Sequence, residues 1–163
     1  MFVRTGTETA HLEVINNCEK RTPYKVIGGG NNIYYLTEER VQSIMIIQKN
    51  TMSEMVFEDG NFIISSGALL FESVLFAFDK GYDISQLAGI PGAVGGAIYG
   101  NAGAYGLKIK DILHSCTIYD RTSIHSVSAA DIKLGCRTSS LKDGSCSGIL
   151  LTATFSGLAT RER

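Results

Sequence analysis

The stretch LAGIPGAVGGAIYGNAGAYG, residues 87–106, decides the fold of this chain, because it contains seven glycines and no charged residue. Glycine in a helix interior costs about 1 kcal/mol relative to alanine, and in a strand it removes a side chain that could pack. This composition predicts a bare backbone surface that a ligand approaches closely, with amide groups available to an anion and apolar walls between the glycines. A plain glycine-rich loop between packed elements is the alternative interpretation.

A second glycine-rich stretch lies about sixty residues earlier. The sequence YKVI at 24–27 predicts a short strand, and Gly-Gly-Gly-Asn-Asn follows it at once at 28–32. Such a turn can adopt positive φ at several positions and align successive amide groups toward an anion. It matches neither the GxGxxG fingerprint nor a Walker loop, because no Gly-Lys-Ser/Thr follows.

In this order and spacing, the two stretches resemble the FAD-binding domain of the UDP-N-acetylenolpyruvoylglucosamine reductases. That family has a strand followed by GGGSN and, later, an AGIPG-x-VGGA…NAGAYG segment. Here these correspond to Gly28–Asn32 and Ala88–Gly106, and the similarity continues through Asp111 and 119–121 to the sequence GCRTS at 135–139. The resemblance covers residues 24 to 155.

The resemblance implies an α+β fold, the two-lobed FAD-binding domain of the vanillyl-alcohol oxidase / p-cresol methylhydroxylase type. We expect a reduced α/β lobe at residues 1–59 and a second lobe, with an antiparallel sheet and helices, at 60–163, with FAD lying between them. The lobe at 1–59 is predicted to be reduced because residues 16–23, between a predicted strand at 11–15 and the strand at 24–27, are too few for a crossover helix.

The resemblance also implies which residues bind the cofactor. We predict that the amide groups of residues 29–32 bind the FAD pyrophosphate, that Pro91 stiffens the second segment, and that residues 101–105 line the flavin or its ribityl chain. The predicted cofactor-binding residues are Gly28, Gly29, Gly30, Asn31, Asn32, Gly89, Ile90, Pro91, Gly92, Gly95, Gly96, Asn101, Ala102, Gly103, Ala104 and Tyr105.

Arg137 is the candidate catalytic residue. The family has an arginine in an FGYR-D-S-x-F-K stretch that binds the enolpyruvyl group and stabilises developing negative charge, a role that suits a fixed guanidinium. Arg137, Ser139 and Lys142 match this pattern, whereas Cys136, Thr138 and Leu141 replace its tyrosine, aspartate and phenylalanine. A surface or sheet-edge role for Arg137 is the alternative.

Two functional residues of the family have no counterpart here. A serine that protonates the substrate carbon and a late glutamate lie in a C-terminal domain of the family, and this chain ends at Arg163. The chemistry requires a general acid near that carbon, and Tyr105 and Cys136 are the candidates for that role.

Composition narrows the class of protein. The chain has 163 residues, a net charge of −1, 44% hydrophobic and 19% charged residues, so we expect one globular domain or two small lobes and no nucleic-acid partner. No apolar run reaches the length of a membrane span and no signal peptide is visible. The four cysteines form no CxxC pair, which predicts reduced thiols and a cytoplasmic location. The three histidines are scattered at no ligand spacing, so we expect no metal site.

Patterning predicts one secure helix among many strands. The helix spans Leu69–Lys80, with one apolar face formed by Leu70, Phe71, Val74, Leu75, Ala77 and Phe78. Leu69 and Phe76 fall on the opposite face, beneath a loop or against a partner chain. Strands are predicted within 41–47 and at 53–57, 61–65, 114–120, 123–127 and 148–155, with hairpin turns at 58–61 and 120–123 and at most one helical turn at 129–132.

Three functions remain open at this stage. The first is an FAD-dependent oxidoreductase that resembles these reductases of cell-wall (peptidoglycan) precursor synthesis, acting on a small anionic or nucleotide-sugar substrate with NADPH as reductant. The second is a shortened flavoprotein whose site is completed by another chain or by a second copy as a homodimer, or which acts on a different small substrate. The third is a non-catalytic module that binds FAD or another nucleotide.

Overall fold

The computed structural model describes residues 2–4, 24–34, 44–47 and 54–160. A first sheet is formed by β1 (Phe2–Arg4), β2 (Tyr24–Ile27) and β3 (Ile44–Ile47). The strands are parallel, in the order β1–β3–β2. The glycine turn therefore starts at the carboxyl end of a parallel strand, which is where α/β sheets bind ligands. The predicted strand at 11–15 and the shortened crossover at 16–23 lie outside the described residues.

The second sheet is antiparallel, as predicted. The strands after β3 are β4 (Met55–Glu58), β5 (Asn61–Ser65), β6 (Gly103–Ala104), β7 (Leu107–Lys108), β8 (Leu113–Tyr119), β9 (Ile124–Ser128) and β10 (Ile149–Phe155). Five of them form the sheet in the order β4–β5–β10–β8–β9, while β6 and β7 form a separate two-stranded hairpin. The turn after β8 is held by the Asp120 carboxylate, which accepts hydrogen bonds from the amides of Thr122 and Ser123; both predicted hairpin turns are confirmed.

Four α-helices lie in the described part of the chain: α1 (Leu70–Asp79), α2 (Val94–Tyr99), α3 (Ala129–Ile132) and α4 (Ser140–Asp143). Short 3₁₀ turns occur at Ser85–Leu87 and Ile109–Asp111. None of the described helices is long and apolar enough to cross a membrane. Helix α2 corrects the expectation that residues 87–106 avoid regular structure. Its side chains Val94, Ala97 and Ile98 are buried, and this burial offsets the conformational cost of the two adjacent glycines.

The helix predicted at 69–80 is confirmed as α1, and three of the six residues predicted for its buried face, Leu70, Val74 and Ala77, are buried. Its buried residues are Leu70, Ser73, Val74 and Ala77, whereas Phe71, Leu75 and Phe78 are 50%, 48% and 41% exposed. The buried Ser73 was not predicted, and its hydroxyl is satisfied by donating to the carbonyl of Leu69 at 2.9 Å. Apolar residues cover most of the helix surface, so periodicity could not separate the three buried positions from the three exposed ones.

Phe76 belongs to the core, which corrects its assignment to an outer face. Its ring packs edge-on against Phe62, with 6.0 Å between the ring centroids. Phe62 also contacts Phe57 and Tyr82, at 4.6 and 5.2 Å between centroids. Aromatic pairs of this kind stabilise a core beyond their buried area. The cluster fastens α1 to the β4–β5 hairpin.

The strands on both sides of the Asp59–Gly60 turn pair in one sheet, with Glu58 opposite Asn61. The division into lobes at 1–59 and 60–163 stays a prediction.

Candidate functional site

The first glycine turn presents unused backbone donors. Gly30 has a φ of +73°, which suits glycine because it has no Cβ, and its carbonyl accepts from the amide of Ile33 at 3.3 Å. Within the described residues, none of the amide groups of residues 29–32 donates to a backbone or side-chain acceptor. A row of unpaired amide groups at a strand end can bind an anion.

The second glycine segment uses several of its backbone groups for structure. Val94 donates to the carbonyl of Ala68 at 2.9 Å, and Gly95 donates to the carbonyl of Ser66 at 2.8 Å. The carbonyl of Gly92 accepts from the amide of Leu70 at 3.0 Å. The prediction that amide groups along this whole segment are free was therefore wrong at Val94 and Gly95, because these amides attach α2 to the end of β5 and to the loop before α1.

The two glycine segments touch each other directly. A Cβ placed on Gly28 would lie 3.4 Å from the Cβ of Ala93 and 3.9 Å from the amide nitrogen of Gly96. A Cβ on Gly29 would lie 3.7 Å from the Cα of Gly92 and would collide with the side-chain oxygen of Asn31, which folds over it. The segments therefore lie against each other and form one continuous backbone surface.

The predicted glycines differ in why they lack a side chain. A Cβ on Gly95 would lie 3.1 Å from both the Cβ and the carbonyl oxygen of Ser66, and one on Gly103 would lie 2.6 Å from the Cγ of Lys108. Packing within the protein therefore explains why residues 95 and 103 are glycines. Gly89 and Gly96 are exposed, neither has a positive φ, and no atom lies within 4 Å of a Cβ built on either. Nothing within the described residues requires glycine at these two positions.

The remaining residues predicted to bind the cofactor occupy different environments. Asn101 and Ala102 are buried, at 5% and 9% exposure. Tyr105 is 89% exposed and forms, with Gly106, the turn between β6 and β7. Both turn residues have positive φ, 49° and 88°, as in a type I′ turn. A tyrosine in this conformation is strained, and its ring is held out into solvent. Gly30, Asn31, Asn32, Gly89 and Pro91 are exposed, and Ile90, Gly92, Gly103 and Ala104 are half-buried.

Asn101 is a buried hydrogen-bonding hub at the end of α2. Its side-chain nitrogen donates to the carbonyl of Gly135 at 2.6 Å, and its side-chain oxygen accepts from the amide of Lys110 at 3.1 Å. Both functions of the side-chain amide are thus used within the protein, so the structure gives Asn101 a positioning role. The family pattern indicated the residue, but its two partners are distant in sequence and no motif predicted them.

Arg137 lies in a four-residue turn that is attached to the same end of α2. The amide of Gly135 donates to the carbonyl of Thr138 at 3.0 Å, and Arg137 has a φ of +56°. The Ser139 hydroxyl, fully buried, donates to the carbonyl of Tyr99 at 2.8 Å, and the Lys142 ammonium donates to the carbonyl of Arg137 at 2.7 Å. The Arg137 side chain is exposed. No hydrogen bond between described residues joins Arg137 to the turn at 28–32.

A family model of FAD-binding domains matches residues 1–128. The chain belongs to this FAD-binding family. The UDP-N-acetylenolpyruvoylglucosamine reductase of Petrotoga mobilis is 33% identical over 158 residues, which cover 91% of this FAD-binding domain and 50% of that protein. The reductase of Listeria monocytogenes serotype 4a is 30% identical over 166 residues, covering 100% of this domain and 54% of that protein. The domain thus spans about half the length of these relatives and resembles their FAD-binding domain throughout.

Solved structures show the same fold. The reductase from Thermus caldophilus superimposes with a TM-score of 0.74 at 24% identity, covering 99% of this FAD-binding domain and 56% of that chain. Cholesterol oxidase from Brevibacterium sterolicum gives a TM-score of 0.73 at 10% identity, covering 98% of this domain and 34% of that chain. The predicted fold class, a mixed α+β FAD-binding domain of the vanillyl-alcohol oxidase type, is confirmed.

Proposed function

We propose that this chain binds FAD on the joined surface of Gly28–Asn32 and Gly92–Gly96, and that it is the FAD-binding part of an oxidoreductase. The observation that carries the proposal is the open space at Gly96. An exposed glycine inside a helix costs stability relative to alanine, and no described neighbour or backbone angle requires it. A ligand that lies against the backbone supplies the missing reason.

The surface fits the chemistry of FAD. The unpaired amide groups of residues 29–32 match the two negative charges of a pyrophosphate, and neither Gly28 nor Gly96 carries a side chain where the two segments meet. Asn31 takes the place of the family's serine and keeps a short polar side chain there. Asn101 helps to fix the position of α2, because its side chain hydrogen-bonds to the backbone of residues 110 and 135.

We infer that the reductant is NADPH and that the substrate carries a carboxylate. When bound, FAD supplies hydride transfer between a nicotinamide and an acceptor. Arg137 is the group of this chain that would bind the substrate anion and stabilise negative charge as it develops. Its turn is held by the Ser139–Tyr99 hydrogen bond, so the guanidinium extends from a fixed backbone. The relatives' name points to an enolpyruvyl nucleotide sugar as the substrate. Completion of the site by a partner chain or a second copy stays a prediction.

The proposal is tested by spectroscopy on the purified chain. We expect added FAD to bind with quenching of its fluorescence, anaerobic NADPH to bleach the flavin absorbance, and an enolpyruvyl nucleotide sugar to restore it. A chain that binds no FAD would refute the proposal, and binding without bleaching would favour the non-catalytic module.

Arg137 is tested separately with a matched control. Arg137→Met should keep FAD binding and slow reoxidation by the substrate about 100-fold or more, the usual cost of losing a charge-stabilising donor. Arg121→Met is the control, because Arg121 is also an exposed arginine with a positive φ but lies in the β8–β9 turn. Equal effects of the two substitutions would remove the catalytic assignment of Arg137.

A further inference from the structure

Asn101 is the left-handed residue that ends α2, at a position where glycine is usual. Its φ is +43°, its amide donates to the carbonyl of Ile98 at 3.0 Å, and the amide of Ala102 donates to the carbonyl of Ala97 at 2.8 Å. These two hydrogen bonds form a common C-terminal motif of helices, in which the left-handed residue is usually glycine and sometimes asparagine. Because glycine is abundant in this segment, the side chain of Asn101 needs an explanation of its own.

The side chain of Asn101 is attached to the turn that contains Arg137, residues 135–138. Its nitrogen donates to the carbonyl of Gly135 at 2.6 Å, and Asn101 itself is only 5% exposed. Gly135 has no room for a side chain, because a Cβ there would lie 2.9 Å from the Cγ2 of Thr138. A hydrogen bond shielded from water is electrostatically stronger than an exposed one. The start of the turn is therefore held against the end of α2.

A second buried hydrogen bond lies on the other side of Arg137. The Ser139 hydroxyl, fully buried, donates to the carbonyl of Tyr99 at 2.8 Å. The turn is thus attached at both of its ends, and both attachments lead to the last turn of α2. Tyr99 follows Gly96 by three residues, which is about 4.5 Å along a helix axis. The helix that carries part of the proposed FAD surface therefore also sets the position of Arg137.

The backbone of this turn is strained at the candidate catalytic residue. Arg137 has a φ of +56°, a conformation that is unfavourable for residues other than glycine. The Lys142 ammonium donates to the carbonyl of Arg137 at 2.7 Å and helps to hold it. Strained backbone persists only where the surrounding structure fixes it, and it is concentrated at functional sites. We therefore expect the turn to relax when one of its attachments is removed.

We propose that Asn101 is a positioning residue, which holds Arg137 at a set place relative to FAD and affects the reaction only through Arg137. The inference rests on the proposed function, because it takes Arg137 as the group that binds the substrate anion. A charge-stabilising donor is effective only at the place where the charge develops. A displacement of about 1 Å can slow a reaction by a factor of about 100.

Asn101→Asp removes one hydrogen-bond donor and changes little else. Aspartate also adopts the left-handed conformation and keeps an oxygen that accepts from the amide of Lys110, but its other oxygen cannot donate to Gly135. In the purified chain loaded with FAD, we expect reoxidation by UDP-N-acetylenolpyruvoylglucosamine to slow about 10-fold to 100-fold. The affinity for FAD and the rate of bleaching by NADPH should stay unchanged, because neither depends on Arg137.

The double variant Asn101→Asp/Arg137→Met tests whether Asn101 acts through Arg137. We expect it to be reoxidised no more slowly than Arg137→Met alone, because two residues that act as one unit do not have additive effects. A slower double variant would overturn the proposal, as would an Asn101→Asp variant that is reoxidised at the original rate. Unchanged reoxidation in Arg137→Met itself would refute the role of Arg137 in the proposed function, and this inference with it.

Ser139→Ala and Ser140→Ala form a matched pair of variants. Ser140 is also buried, at 2% exposure, and its hydroxyl donates to the carbonyl of Asp131 at 3.1 Å, which belongs to α3 instead of α2. We expect Ser139→Ala to slow reoxidation and Ser140→Ala to leave it unchanged. Equal slowing by both would mean that the loss of any buried hydrogen bond has this effect, and would overturn the proposal.

Hydrogen exchange measures the attachment of the turn without cofactor or substrate. Asn101→Asp should speed exchange at the amide of Gly135, which donates to the carbonyl of Thr138 at 3.0 Å, while the amides of β8 and β10 exchange as before. Unchanged exchange at Gly135 would overturn the proposal. Faster exchange in β8 and β10 as well would assign Asn101 to the stability of the whole domain, against the proposal. If the substrate never reoxidises the flavin, the proposed substrate is refuted, and the exchange rates still decide whether Asn101 holds the turn.

Discussion

Replacing Gly96 by alanine should stabilise this protein and weaken its binding of FAD. Gly96 lies inside α2 without a positive φ, and outside the backbone of its own helix no atom of the described residues would lie within 4 Å of its new Cβ. Alanine is favoured over glycine in a helix interior by about 0.8–1 kcal/mol, and it also reduces the entropy of the unfolded chain. We therefore expect the free energy of unfolding of the FAD-free protein to rise by about 0.5–1 kcal/mol.

The same methyl group should interfere with the cofactor. If FAD lies in contact with the backbone beside Gly28 and Gly96, a methyl group must displace it or be accommodated by strain, and overpacking typically costs about 1–3 kcal/mol. The corresponding loss of affinity is roughly 5-fold to 150-fold in Kd. Urea unfolding without FAD and fluorescence titration with FAD measure the two effects independently.

Gly95→Ala is the matched control, one residue earlier in the same helix. Its Cβ would lie 3.1 Å from two atoms of Ser66, so we expect destabilisation of about 1–3 kcal/mol from overpacking. A Gly96→Ala variant that is more stable and binds FAD as tightly as the original chain would refute the inference that a ligand explains this glycine. A less stable Gly96→Ala variant would contradict the steric argument itself.

Three further outcomes are expected. Ser139→Ala should lower the free energy of unfolding, measured by urea denaturation, by about 1–2 kcal/mol. The substitution removes the N-cap of α4 and the buried hydrogen bond to the carbonyl of Tyr99; an unchanged urea midpoint would contradict this. In the native chain a thiol reagent at pH 8 should modify exposed Cys136 but not Cys116, whose pKa is raised to about 12 chiefly by burial; rapid labelling of Cys116, located by mass spectrometry, would oppose it. Gly28→Val should abolish FAD binding, because its branches must enter the contact with Ala93; retained binding would exclude this surface.

Much of the fold follows from local sequence patterns. The strands at 24–27 and 44–47, the helix at 70–79 and the strands that follow it could be predicted because their apolar spacing and turn residues are short-range signals. The glycine segments stay predicted as a functional surface, and the second of them contains the helix α2, which its composition did not indicate. For the confirmed strands and helix the information lies within a few consecutive residues.

The predictions that failed depend on contacts between distant residues. Periodicity correctly placed Leu70, Val74 and Ala77 on the buried face of α1. It also placed Phe71, Leu75 and Phe78 there, although these three are 41–50% exposed, and it missed the buried Ser73. The sequence does not show how close a neighbouring element will come, and that distance decides whether a large or a small side chain fits.

Within the glycine-rich segment, composition marks every glycine alike and predicts a backbone poor in side chains that can bind an anion, while the flavin is implied only by the family resemblance. Packing then separates them: Gly95 is small because Ser66 lies against it, whereas Gly96 has open space. Asn101, predicted to line the cofactor, is instead committed to Lys110 and Gly135. The residue types follow from the chain, but whether a group faces a ligand or a neighbour depends on which atoms the fold brings within a few ångströms of it.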